Sequence, residues 1–161
     1  MMSLNTRMWI LLFLSLVLTM VPLPWIMSEL RPPFIVMLVL ATQIFLPQYF
    51  SITALFLLGL CMDVMLSTAI GEHALALIMT TWCASGMARR FPFFSMIQQM
   101  VLVALFAAVY ALTLQLVDFF LGYNTTPWPM LITMGLGFCL WPWVCWLAKG
   151  MLLRPRIRKI H

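Results

Sequence analysis

The sequence predicts an all-α integral membrane protein: six transmembrane helices, N-in/C-in, in one transmembrane domain over 1–161 with no soluble domain. Three observations carry this expectation. Of 161 residues, 65% are hydrophobic and 8% charged, and the mean hydropathy is +1.07, far more apolar surface than a water-soluble fold of this size can cover. Pro, Gly and charge interrupt the apolar runs at intervals of about 20 residues, the length that crosses the hydrocarbon core. Eight of the nine cations fall on one side if the first end and the last are both cytoplasmic.

The first span, 8–27, follows Arg7 and resembles a secretory signal at its start. It runs on into PLPWIMS rather than a small-residue cleavage site, so it reads as an uncleaved helix. In the second, 33–49, the apolar stretch runs only from Phe34 to Leu46, is interrupted by Thr42 and Gln43 and is bounded by Pro32-Pro33 and Pro47. The third, 50–69, contains Asp63. The fourth, 73–88, follows Glu72 and stops at Arg89-Arg90. The fifth, 96–121, and sixth, 129–149, are long apolar runs, the last with Pro142 inside.

With this arrangement Arg7, Arg89, Arg90, Lys149, Arg154, Arg156, Arg158 and Lys159 lie inside and Arg31 outside. Five spans would put either Arg7 or the basic tail on the wrong side. Trp9, Trp141, Trp143 and Trp146 are expected in the inner aromatic belt, with Trp25 and Trp128 in the outer one. The tail RPRIRK reads as a topology anchor, with contact to anionic headgroups as the other reading. Nucleic-acid binding lacks any basic soluble segment to carry it. Cys61, Cys83, Cys139 and Cys145 sit in apolar runs without C-x-x-C or a His cluster, so they read as small packing residues. No internal repeat supports an inverted-repeat transporter.

The most informative stretch is GLCMDVMLSTAIGEHAL, 59–75, which holds two of the chain's four acidic residues. Gly59, Asp63 and Ser67 recur at i, i+4 and i+8 on one helical face. A carboxylate at that depth costs a few kcal/mol unless it has a partner. On the fifth span Ala104, Ala108, Ala111, Gln115, Asp118 and Gly122 recur at steps of four and three, a packing stripe with a polar outer end. Glu72 and His73 lie at the same level. These positions predict an outer polar cluster in which Arg31 reaches Asp63 or Asp118, against the plainer reading that Arg31 snorkels to headgroups and each Asp is solvated. The small-residue faces serve either internal packing or docking of a partner helix, with internal packing favoured.

Catalytic readings find little. The residues before Asp63 are Leu60, Cys61 and Met62, not the G-x-G-D of intramembrane aspartyl proteases, and Ser85 lies at the far end of His73's own span, so no Ser/His dyad forms. There is no H-E-x-x-H, P-loop or nucleotide fingerprint, and no cofactor is expected. Asn124-Thr125-Thr126 reads as a tight outer turn rather than a glycosylation site. Pro142, in LWPW at 140–143, removes a helix donor and predicts a kink, while Gly135 and Gly137 permit close approach of a neighbour.

LRPPF at 30–34, the spacing Gly59, Asp63, Gly71, and LWPW before a basic tail resemble the MreD family of rod shape-determining proteins, and length and expected topology agree along the chain. Pro33-Phe34 departs from relatives, which often have a polar residue and an aromatic there. The resemblance implies a non-enzymatic scaffold or regulatory subunit of the elongation machinery in the bacterial inner membrane. It would act in lateral-wall peptidoglycan synthesis with MreC, with MreB, and with RodA and its class B penicillin-binding transpeptidase. It also implies a fold similar to the substrate-binding S-components of energy-coupling-factor transporters. Two alternatives stand beside it: a small-molecule-binding membrane subunit of a vitamin-type transporter, and ion conduction through Asp63 and Asp118, which lacks a polar ladder across the bilayer.

Overall fold

A computed structural model of the chain describes residues 34–45, 51–123 and 126–152. They form five α-helices in succession: α1 Phe34–Phe45, α2 Ile52–Leu66, α3 Glu72–Ala88, α4 Met96–Phe120 and α5 Trp128–Leu152, with a 3-10 turn Phe91–Phe93 between α3 and α4. These correspond to expected spans two to six. The first span, with Arg31, lies outside the described residues. Two stretches, Met96–Phe120 and Trp128–Leu147, are long and apolar enough to cross a membrane, while α1 and α2 are apolar but shorter.

Consecutive helices α2 to α5 pack on one another, and α1 packs against α3, α4 and α5. Every residue of α1 from Ile35 to Ile44 is buried. Its sequence is apolar on all sides, and such a helix is stable only when surrounded. Its two polar interruptions find acceptors inside: Thr42 Oγ1 donates to the Leu38 carbonyl at 2.8 Å, and Gln43 Nε2 donates to the Thr81 carbonyl of α3 at 2.9 Å, while Gln43 Oε1 is buried without a hydrogen-bond partner among the described residues. Thr80, Thr81 and Thr113 likewise donate to carbonyls four residues back in their own helices. A hydroxyl that finds its acceptor in its own helix can be buried at little cost.

The distribution of polarity is reversed from that of a water-soluble bundle. Asp63, Glu72, His73, Gln43 and Gln99 are buried, while Leu57, Val64, Trp82, Ile97, Leu105 and Phe120 point outward. Lipid tails solvate apolar side chains as well as a protein core does, so the exterior can be apolar while hydrogen-bonding groups are kept inside.

Helices approach most closely at glycine. A Cβ on Gly59 would overlap Ala74 Cα of α3, so α2 and α3 are in backbone contact there. At the α4–α5 crossing a Cβ on Gly137 would stand 3.2 Å from Ala107 Cβ and 3.7 Å from Ala104 Cα. The Ala104, Ala108 and Ala111 portion of the predicted stripe is accordingly buried within the chain. Gly135, by contrast, faces open space.

Two expectations need correction. Trp141 is fully buried rather than in the inner belt, whereas Trp143 and Trp146 are exposed at 73% and 74%. Its ring meets Phe91 edge to face at 5.6 Å, and its Nε1–H donates to Gln99 Oε1 at 3.4 Å. Helical rotation of about 200° between Trp141 and Trp143 puts one inside and one outside. Of the cysteines, only Cys145 packs in the core; Cys61, Cys83 and Cys139 lie on outward faces. Apolar character marks lipid-facing and core positions equally, so hydropathy alone does not separate them. Helix α5 runs unbroken through Pro142.

Candidate functional site

Helix α2 closes with Ser67 in the left-handed conformation, φ 54° and ψ 36°, and the Thr68 N–H donates back to the Asp63 carbonyl at 3.1 Å. This closing geometry usually falls to glycine. It ends the helical face at Leu66, so exposed Ser67 does not continue the surface of Gly59 and Asp63. Four residues on, Gly71 takes φ +99° as N-cap of α3, a backbone setting that suits glycine but provides no capping side chain.

Asp63 supplies the missing cap from the preceding helix. Its Oδ2 accepts the Gly71 N–H at 2.7 Å, and its Oδ1 accepts the His73 N–H at 2.9 Å. The same Oδ1 stands 2.9 Å from His73 Nδ1, and the Thr68 hydroxyl approaches it at 3.4 Å. The side chain of Asp63 is entirely buried. A carboxylate at a helix N-terminus meets unpaired N–H groups and the positive end of the helix dipole, and both favour it in a low-dielectric setting. The donors that answer Asp63 thus come from its own α2–α3 turn. The pairing with Arg31 expected from sequence involves a residue outside those described.

His73 extends the cluster to α4, where its ring meets Tyr110 edge-on at a centroid distance of 6.3 Å. Glu72, one residue ahead of the expected fourth span, is buried beside this group. Desolvation raises its carboxyl, repulsion from Asp118 and more weakly from Asp63 adds to this, and a backbone hydrogen bond at Ala69 opposes it; the result is a pKa of about 7. Asp118 is half-buried on the last turns of α4. Nearby, Gln115 Nε2 donates to the Thr126 carbonyl at 2.8 Å and ties α4 to the turn before α5. Gly122, with φ +82°, makes the turn after α4 and is exposed.

The structure therefore brings Asp63, Gly71, Glu72 and Asp118 to one end of the bundle, with Gly59 one turn below Asp63 at the α2–α3 contact. Ser85 lies at the other end of α3 from His73 and donates to the Trp82 carbonyl at 2.6 Å. Among the described residues no group of His, Cys, Asp or Glu is placed to hold a metal ion. The hydrogen bonds of the cluster tie the start of α3 to the last turn of α2. Sequence reasoning set His73 at the right level without pairing it to Asp63, and it missed Thr68 and the Gln99–Trp141 bond. The short D-x7-G-E-H spacing was the available signal, since a turn of that length returns the second helix N-terminus to the first helix's last turn.

An apolar exterior, a hydrogen-bonded interior and helices joined by short turns define a small helical membrane protein whose described polar groups serve its own architecture. A family model for rod shape-determining protein MreD matches residues 2–151. The chain belongs to the MreD family, and is thus a rod shape-determining membrane protein. It is 30% identical over 144 residues to the rod shape-determining protein MreD of Haemophilus influenzae, with 89% of each chain covered. No solved structure matches it, so the likeness to S-components rests on the family resemblance alone.

Proposed function

We propose that the protein is a non-enzymatic subunit of the rod complex in the bacterial inner membrane. It spans the bilayer six times with both termini cytoplasmic, and holds MreC, and through it the wall synthases, by helix-to-helix contact. Family membership over nearly the whole chain is the observation that carries this reading. Its physical support is the outward faces of α2 to α5, which present large apolar side chains along their length, the kind of surface by which one membrane helix receives another. The Asp63 cluster acts in this scheme as a brace that keeps the α2–α3 hairpin rigid, with Arg31 joining it from the outer end of the second span.

The test is depletion in the native host with restoration by plasmid copies. Depleted cells should round up and lose side-wall synthesis, and wild type should restore rods. Cysteine crosslinking to MreC should succeed from outward positions such as Leu105 or Leu112 on α4 and fail from buried Ala104 or Ala108. Depleted cells that remain rods with normal side-wall synthesis would defeat the reading. Reporter fusions at both termini should report the cytoplasm; opposite sides would refute the six-span topology.

A further inference from the structure

At the end of the bundle away from Asp63, the turn from α3 to α4 presents two guanidiniums. Arg89 and Arg90 are exposed, and among the described residues neither has an ion pair. The described carboxylates, Asp63, Glu72 and Asp118, are gathered at the opposite end, where Glu72 feels the charge of both others. No described carboxylate is therefore placed to answer the two arginines.

The turn that carries these arginines is held firmly. Phe91 is buried against Trp141, and Gln99 Nε2 donates to the carbonyls of Phe91 at 3.4 Å and Phe94 at 3.0 Å. Ser95 and Gln98 close a reciprocal capping box at the start of α4. Between these fixed points Phe93 stands 89% exposed.

Above the turn, the outward face of α3 leads straight to the cations. Trp82, Gly86 and Arg89 follow at i, i+4 and i+7, and Cys83, Met87 and Arg90 do the same one position on, so both rows lie on neighbouring lines of one face. All six are exposed. Gly86 leaves a gap, since a Cβ there would meet nothing within 4 Å. The face is an exposed, largely apolar strip from Trp82 to Met87 that ends in two guanidiniums, on the turn that also carries exposed Phe93.

We propose that this surface binds an anionic phospholipid, its phosphate on Arg89 and Arg90 and an acyl chain along the exposed Trp82–Met87 face. A guanidinium engages phosphate through two parallel N–H donors, and the exposed apolar side chains beyond it on α3 offer contact to an acyl chain. The lipid is chosen over an acidic protein segment because the charges are continuous with an apolar face. An acidic peptide would neutralise the arginines and leave Trp82, Met87 and Phe93 uncovered. Orientation by the positive-inside rule requires only net charge at this turn, whereas a lipid site requires the guanidinium shape and the open apolar face as well.

The full-length protein in neutral detergent, offered phosphatidylglycerol and phosphatidylcholine of identical chains, is read by native mass spectrometry for retained lipid. Wild type should retain phosphatidylglycerol preferentially. R89Q/R90Q should weaken its retention about thirtyfold, the factor two interfacial cations of roughly 1 kcal/mol each produce. R89K/R90K keeps the charge and should weaken it several-fold; G86L puts a side chain into the open space where the acyl chain would lie and should also weaken it with no change of charge. R154Q/R156Q/R158Q should leave retention unchanged. The proposal is overturned if R89Q/R90Q retains phosphatidylglycerol like wild type, if G86L and R89K/R90K are both indistinguishable from wild type, or if the preference follows the tail variant. Capture of an acidic cytosolic protein through the arginines without lipid preference would overturn it too. Should R89Q/R90Q fail to insert, G86L at an open, exposed position carries the test.

Discussion

Four donors converge on the Asp63 carboxylate, and three of them, the Gly71 N–H, the His73 N–H and His73 Nδ1, lie within 2.9 Å. Removing the acceptor strands them in a buried site, so D63A should destabilise the protein by about 3 kcal/mol, the cost of breaking a buried pair from one side. D63N keeps one acceptor oxygen and should lose less. Thermal unfolding in detergent measures both, and D63A melting like wild type would remove the brace from the account. Glu72 offers a signed pH dependence. Its pKa is raised from 4.5 unfolded to about 7 folded, so the folded chain holds this proton more tightly than the unfolded chain does. The stability from this group is complete below pH 4.5 and lost as the pH rises through about 7. Wild type should therefore melt lower at about pH 8 than at about pH 5, and E72Q, which has no proton to lose, should narrow that difference.

For the helices, the decisive positions are contacts rather than propensities. A Cβ at Gly59 would stand 2.6 Å from the backbone nitrogen of Ala74, so the α2–α3 pair has no room to adjust by rotating a side chain. G59A should cost about 3 kcal/mol, the upper part of the usual range for overpacking, and lower the melting temperature accordingly. Tryptophans on α5 give the complementary contrast. W141A removes a fully buried ring that touches Phe91 and Gln99, and should cost about 3 kcal/mol or more. W143A, two residues away on the outward face, should change stability by less than about 0.5 kcal/mol. Equal effects in the two variants would mean that α5 is rotated from the orientation described.

At the scale of the bundle, the charges of the described residues are sorted by end. The described carboxylates and His73 occupy one end, where Asp63 caps α3, while Arg89 and Arg90 occupy the other, on a turn fixed by Phe91, Gln99 and Trp141. Between them, α1 runs through the middle of the described bundle with its two polar side chains donating to helix carbonyls. This leaves the outer faces of α2 to α5 free for lipid and for other membrane helices. It also explains why a chain with few polar side chains can hold a defined shape: most of those described are committed to a specific partner.

That the described residues form successive apolar helices broken near Pro, Gly and charge was legible in the sequence, because apolar run length, Pro, Gly and charge act locally along the chain. The choice between an inner and an outer face was not. In lipid, both faces of a helix are apolar, so hydropathy does not tell buried Trp141 from outward Trp143, or core Cys145 from exposed Cys61. Nor could spacing alone show that Asp63 would find its donors in the next turn, since that depends on Ser67 and Gly71 both taking left-handed backbone conformations and folding α3 back onto α2. Only the tertiary structure decided these points, through rotation about each helix axis and the geometry of one short turn.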